Sequence, residues 1–281
     1  MGSDLLYRSL ENYVVPTLDI INIGFLLIII EEVYSNKFWF ILGLLLFKIY
    51  LIFQRRKIIK YLSWWKLICM LLFLAILTFV CARIVAYCEA CYGFGGCNIT
   101  ETLLVNLSGG FYSWSGIVFA LSLFYVLLVL TVSNKDRLVF FGFSHHLIIG
   151  FMLFTTLCKL GCHFSGDGCY GRPTELPWGT FYENGLVPSL LPVHPTSVYD
   201  SIFNLCMFFL FLYLTNEYWF VKYIFPLYLL LISVFHFFLE LLRINPKVIF
   251  NEFTVQQSVY LFCFILNSIS LYLVSMSYRK H

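Results

Sequence analysis

The sequence predicts an all-α polytopic integral membrane protein of about eight transmembrane helices with one long outer loop. Three observations predict it. Of 281 residues, 60% are apolar or aromatic and only 12% are charged, about half the charge of an average soluble domain. The mean hydropathy is +0.85. Eight runs are long and apolar enough to cross a bilayer, which takes about 20 residues of helix. So little charge cannot wet the surface of a soluble globule of this size. That excludes a soluble enzyme, a nucleic-acid binder and a disordered chain. The net charge of +3 is too small to imply an electrostatic partner.

Taken in order, the runs fall at about 16–33, 38–54, 63–87, 109–132, 138–160, 196–215, 218–241 and 254–276. Stretches such as FLLIII, FWFILGLLLF, MLLFLAILTFV, LFYVLLVL, MFFLFLYL and FPLYLLLISVFHFF are apolar all round, as lipid-facing helices must be. A barrel would show alternating strands of about ten residues, and none is present. No internal repeat and no soluble domain is read. The mid-helix His145 and His146 are expected to pack or hydrogen-bond within the bundle.

Positive charge orients the helices. Arg55, Arg56, Lys57, Lys60, Lys135, Arg137, Lys222, Arg279 and Lys280 fall on one side of an eight-pass arrangement, which is expected to be cytoplasmic with both termini. The loops 88–108 and 161–195 and the turn 243–253 are then outer. The first apolar run lacks the basic leader and small-residue cleavage site of a signal peptide, so no removable one is expected.

Ten cysteines divide by position. Cys69, Cys81, Cys206 and Cys263 lie within helices, where a small soft side chain packs well. Cys88, Cys91 and Cys97 lie in the outer stretch CEACYGFGGC. A Cys-x-x-Cys can be a zinc half-site or a redox pair. No second ligand pair stands at zinc spacing, so a disulfide on the oxidising side is expected and no metal or cofactor. Asn98 and Asn106 open glycosylation tripeptides, which arise often by chance.

Charge at membrane depth is costly, and where present is usually functional. Arg83 follows the apolar run of the third helix, Lys159 ends the fifth, and Glu240 and Arg243 end the seventh. The 161–195 loop adds Asp167, Arg172, Glu175, His163 and His194 among Gly161, Gly166, Gly168, Gly171 and Gly179. Cations converging with glycine-rich backbone hold phosphate, here most simply that of a lipid head group. The bland alternative is that these residues are interfacial anchors snorkelling to water.

The loop carries a resemblance. KLGCHFSGDGCYGRPTELPWG (159–179) followed by NGLVPSLLPVHPTSVYD (184–200) resembles the signature of the prolipoprotein diacylglyceryl transferase family. CARIVAY (81–87), SGGFYSWSG (108–116), ELLR (240–243) and FTVQQSVYL (253–261) resemble further family motifs in the same order. The likeness covers roughly 38–276. It implies a seven-helix family domain over 38–281, with 1–37 as an extra N-terminal transmembrane helix. It further implies transfer of diacylglyceryl from phosphatidylglycerol to the thiol of a lipobox cysteine in a prolipoprotein, at the outer side of the bacterial cytoplasmic membrane. No nucleic acid is involved.

By residue, Arg243 matches the family's essential arginine and Arg83 its other buried one. His194, Pro195, Tyr199 and Asp200 match the His-Pro-x-Gln-Leu-Tyr-Glu box, with Ser197 for Gln and Asp200 for Glu. Gly166 and Gly171 keep the tight loop, Asp167 stands near the family's acid or Cys, and Trp178 lies in the Leu-Pro-Trp stretch. The catalytic set implied is Arg243, His194, His163 and Asp167. The lipid-binding set is Arg83, Lys159, Arg172, Glu240, Tyr199, Trp114, Gly166 and Gly171. Three further positions depart: Trp114 fills the slot of a histidine proposed as base, Lys159 replaces an arginine, and Cys162 stands where the family has an asparagine. Two readings therefore stay open, a transferase acting on a phospholipid donor and a catalytically silent phospholipid-binding relative serving as an envelope accessory protein. A transporter would spread ionisable groups through its helix centres, and here they gather at one end.

Overall fold

A computed structural model describes residues 36–54, 64–93, 114–131, 134–217, 220–245, 247, 249 and 252–279. Seven long helices fill most of this span. They are α1 (Asn36–Phe53), α2 (Trp64–Gly93), α3 (Trp114–Thr131), α4 (Asn134–Ser165), α5 (Thr196–Leu214), α6 (Val221–Leu239) and α7 (Val255–Arg279). Among the described residues six segments are long and apolar enough to cross a membrane, and the chain is an integral membrane protein. The predicted helix 16–33, the basic stretch 55–60, Cys97 and both glycosylation tripeptides lie outside the described residues.

Helices form because the bilayer makes the backbone satisfy itself, in helices or in a closed barrel, and these long runs are apolar on every face. Their arrangement follows from which faces are small or polar. Gly116 of α3 lies against α2 so closely that a Cβ there would sit 2.5 Å from Ala82 Cα. Such close approach is how membrane helices gain contact when lipid is as apolar as leucine. Asn267 of α7 donates to Ser122 Oγ of α3 at 2.9 Å. α3, α4, α6 and α7 enclose the main core, with Phe124, Ile148, Met152, Tyr228, Ile232 and Tyr260 buried at its centre. α1 packs on α4 and α2 on α3. Their outer faces, including Ile41, Leu45, Phe73 and Ile76, are exposed as lipid contacts would be.

Three boundaries differ from the sequence reading. α4 runs on to Ser165, five residues past the expected end, because Gly161 is tolerated inside the helix and the chain turns only at Gly166, whose φ is +55°. Lys159 and His163 are therefore helical and not at a helix end or in a loop. α2 continues to Gly93, so Cys88 and Cys91 stand in its last turns. α6 tightens into a 3-10 turn over Glu240–Leu242, and that turn aims Arg243.

Between α4 and α5 the long loop carries a small antiparallel hairpin, β1 (Thr180–Tyr182) with β2 (Ser189–Val193). The loop is tied to the helix ends by main-chain bonds. Arg172 N donates to Leu242 O at 2.7 Å, Gly171 N to His194 O at 2.8 Å, and Val187 N to Gly166 O at 2.8 Å.

Candidate functional site

Lys159 and Cys162 lie three residues apart on one face of α4. Lys159 Nζ lies 2.8 Å from Asp200 Oδ2, with both side chains buried. Asp200 stands in the first turns of α5. One turn on, Asn204 Nδ2 donates to its Oδ1 at 2.8 Å, and Tyr228 OH donates to Asn204 Oδ1 at 2.6 Å. A buried charge persists only when paired and hydrogen-bonded, and this one is both. Lys159 Nζ also lies 4.6 Å above the Trp114 ring.

His236 closes the network from α6. Its Nε2 is 3.2 Å from Asp200 Oδ1 and 3.1 Å from Trp114 Nε1. One nitrogen cannot donate and accept at once. With a proton on Nε2 it donates to Asp200; with the proton on Nδ1 it accepts from the indole. Its ring stacks on Tyr260 at 5.0 Å.

His236, Glu240 and Arg243 recur at i, i+4 and i+7, so the end of α6 and its 3-10 turn place them in one column. Glu240 is buried, accepts from Asn245 and Thr254, and stands 3.8 Å from Arg243 Nη1. Burial opposes the charge on Arg243, but Glu240, Cys169, Tyr260 and Asp200 outweigh it and hold the guanidinium pKa above its ordinary value. Its Nε and Nη2 are buried and have no hydrogen-bond partner among the described residues. A fixed cation with two unanswered donors is built for an anion that presents two oxygens.

The loop packs directly on this column. Gly171 is required by close approach: a Cβ there would lie 2.5 Å from Leu242 O and 3.0 Å from His194 Cβ. Arg172 is exposed, and its Nε donates to the carbonyl of Arg243 at 3.1 Å, so it holds the backbone that aims Arg243. His194 Nδ1 lies 3.3 Å from Tyr199 OH, and Trp178 Nε1 donates to that hydroxyl at 2.8 Å. Asp167 Oδ1 accepts the Cys169 N–H at 3.1 Å. Lys159, Arg243, Cys162 and Cys169 lie close enough to act on one another electrostatically.

His163 faces elsewhere. It lines a polar hollow of about 460 Å³ with Thr180, Tyr182 and Glu183. Burial pushes the Tyr182 phenol up to about 12, so it keeps its proton, and its hydroxyl is hydrogen-bonded to His163 Nδ1 at 2.7 Å. Arg83 is buried in α2 with its guanidinium carbon 5.5 Å from the Phe79 ring centroid. The residues after it, Ile84 and Val85, join Phe119, Val255, Val259 and Phe262 around an apolar hollow of about 470 Å³.

The structure thus brings Lys159, Trp114, Glu240, Arg243, Gly171 and Arg172 to one end of the bundle, with His194 and Asp167 in the loop above and Tyr199 in the first turn of α5. It places Lys159 in an ion pair and His163 in a separate hollow. Sequence reading missed His236, Asn204 and the Cys162–Cys169 pair. The column spacing of His236 with Glu240 and Arg243 was a usable signal for the first. The i+4 spacing of Asn204 from Asp200 was one for the second. Cys91 is disulfide-bonded, as expected for that stretch, while Cys162 and Cys169 are free.

Residues 26–273 match the sequence profile described as prolipoprotein diacylglyceryl transferase. A relative from Clostridium tetani, named phosphatidylglycerol–prolipoprotein diacylglyceryl transferase, is 32% identical over 109 residues, 38% of this chain and 43% of its own. One of the same name from Leptospira interrogans is 31% identical over 161 residues, 56% of this chain and 48% of its own. One from Finegoldia magna is 29% identical over 153 residues, 54% and 56%. The chain spans about half the length of the curated relatives it matches. No solved structure matches it.

Proposed function

The chain belongs to the prolipoprotein diacylglyceryl transferase family, and we propose that it transfers the diacylglyceryl group of phosphatidylglycerol to the thiol of a prolipoprotein cysteine, releasing glycerol phosphate. The observation that carries this is Arg243, buried, permanently charged and with Nε and Nη2 unanswered among the described residues. In the reaction Arg243 binds two phosphate oxygens and meets the charge that grows as the carbon–oxygen bond breaks. Glu240 holds the guanidinium in place. Arg172, through the Arg243 carbonyl, and Gly171, through its contact with Leu242, fix the strand of backbone that presents it. The apolar hollow beside Arg83 takes acyl chain from the bilayer.

His194, braced by Tyr199 and Trp178, orders the loop over the head group. Lys159 contributes its field through the Asp200 pair and not as a direct phosphate ligand. The site faces the outer side of the bacterial cytoplasmic membrane. The disulfide at Cys91, near the same end of the bundle, supports this by calling for an oxidising compartment.

A silent phospholipid-binding relative is the second reading. It is favoured by Trp114, which stands where the family has a histidine and can donate but not accept a proton. The test uses purified protein with labelled phosphatidylglycerol and a lipobox peptide. Release of glycerol phosphate with a lipidated peptide, lost in Arg243→Ala together with co-purifying phospholipid, is the expected result. Retained head-group binding without release in the wild type would select the silent reading. Turnover intact in Arg243→Ala would overturn the site.

A further inference from the structure

A thiol near its ordinary pKa is a poor nucleophile until it loses its proton. The histidine in the family's motif is Trp114 here, His163 faces a separate hollow, and His194 is braced by Tyr199. Beside Lys159 and Arg243, however, lies a set of donor atoms that no motif announces. The Sγ atoms of Cys162 and Cys169 and a carboxylate oxygen of Asp167 lie within 4.8 Å of one another. Cys162 is held by the last turns of α4. Asp167 and Cys169 are swung back toward it by Gly166 and Gly168, whose φ values of +55° and +89° reverse the chain. The Cys169 N–H fixes the carboxylate, and Thr196 Oγ1 donates to Cys169 O at 2.6 Å, which fixes the second cysteine to α5.

We propose that Cys162, Asp167 and Cys169 bind a zinc-class divalent cation whose fourth position takes the thiol of the acceptor cysteine. This rests on the transferase reading above. Two thiolates and a carboxylate are donors suited to Zn²⁺, and tetrahedral bonds of about 2.3 Å to sulfur need the three atoms to close by only roughly an ångström. Three protein ligands with one open position is the arrangement of a reactive, not a structural, zinc site. The donor set carries three negative charges against two on the ion, and Lys159 and Arg243 lie near enough to offset the excess.

A thiol entering the open position gives up its proton to solvent and stays bound as thiolate. Its sulfur then forms a bond to the glyceryl carbon of phosphatidylglycerol. The bond from that carbon to the phosphate oxygen breaks, and the electron pair leaves with glycerol phosphate, which Arg243 receives. One thiolate and one phosphodiester become one thioether and one phosphate monoester dianion, so charge balances.

The test uses the whole protein in detergent, reduced and metal-free, titrated with Co²⁺ as the spectroscopic stand-in. The expected result is a saturable thiolate-to-cobalt charge-transfer band with the visible bands of tetrahedral cobalt, competed away by Zn²⁺. Cys162→Ser loses it, and Asp167→Asn weakens it while keeping the fold. Adding a lipobox peptide intensifies the charge-transfer band as a third sulfur joins, and the same peptide with serine for its cysteine does not. No cobalt band, a Cys162–Cys169 disulfide in protein purified without reductant, or a band indifferent to the peptide would each overturn the proposal. The two readings fail separately. Transfer that survives complete chelation removes the metal and leaves the transferase. A cobalt site that takes the peptide thiol without glycerol phosphate release keeps the metal site and removes the transferase.

Discussion

At the residue scale the proposed chemistry turns on a guanidinium that the fold buries and leaves partly unanswered among the described residues. Arg243→Lys keeps the charge but loses the planar fork. The expected cost is one charge-assisted hydrogen bond, about 1.5–3 kcal/mol, read as a fall of roughly tenfold to a hundredfold in kcat/KM. The pH dependence follows from the same residue. Its pKa is held above the ordinary guanidinium value, so its charge is present throughout the range in which the protein can be assayed. Head-group retention should therefore be flat from neutral to mildly alkaline pH. A midpoint below about pH 10 would mean that another group holds the phosphate. Gly171 tests the backbone that aims Arg243. Gly171→Ala places a Cβ 2.5 Å from Leu242 O, a main-chain atom that cannot swing away. A loss of about 1–3 kcal/mol in thermal unfolding is expected, with loop displacement lowering activity further.

At the scale of elements, α4 and α5 are joined by the buried pair Lys159–Asp200. Breaking one partner strands the other charge in an apolar interior. Asp200→Asn alone should destabilise by about 3–5 kcal/mol, and Lys159→Met on top of it should recover most of that. Thermal melts of the two single variants and the double give the coupling directly; additive losses would mean that the pair contributes nothing to stability. Pairing of this kind is where sequence reading stopped. The helices α1 to α7 were legible because the bilayer demands long apolar runs and little else. Their ends were less so. Gly161 reads as a stop, yet the helix passes through it until Gly166 takes a positive φ. Lys159, Arg243 and Arg83 were legible as costly charges at membrane depth. The pairing of Lys159 was not, because Asp200 and Trp114 come from two other helices and meet it only when the bundle closes. Cys162 and Cys169 were passed over for the same reason: their spacing matches no ligand motif until two glycines fold the loop back on the helix.

For the molecule as a whole, the loop that covers the site is not built for water. Leu186, Leu190 and Leu191 are 74%, 78% and 59% exposed, and Trp178 and Phe181 are each 55% exposed. All five lie on or beside the hairpin at the end of the bundle that carries Arg243. Apolar side chains so placed sit stably at the boundary between head groups and acyl chains, with Trp178 suited to the interface itself. A substrate with its phosphate in the head-group layer and its glyceryl carbons just beneath would enter under this arm without leaving the membrane. Under the proposed function the arm is expected to serve capture and not chemistry. Leu190→Glu with Leu191→Glu withdraws two protein-exposed leucines from that boundary, each worth about 1.5 kcal/mol or more when fully desolvated in the bilayer. With phosphatidylglycerol in vesicles, KM should rise by roughly tenfold or more while kcat stays within about twofold. With the same lipid dispersed in detergent micelles, which have no fixed interface to reach, the difference in KM should shrink. An unchanged KM in vesicles would place the arm in water, and a matching loss of kcat in both media would make it part of the catalytic apparatus.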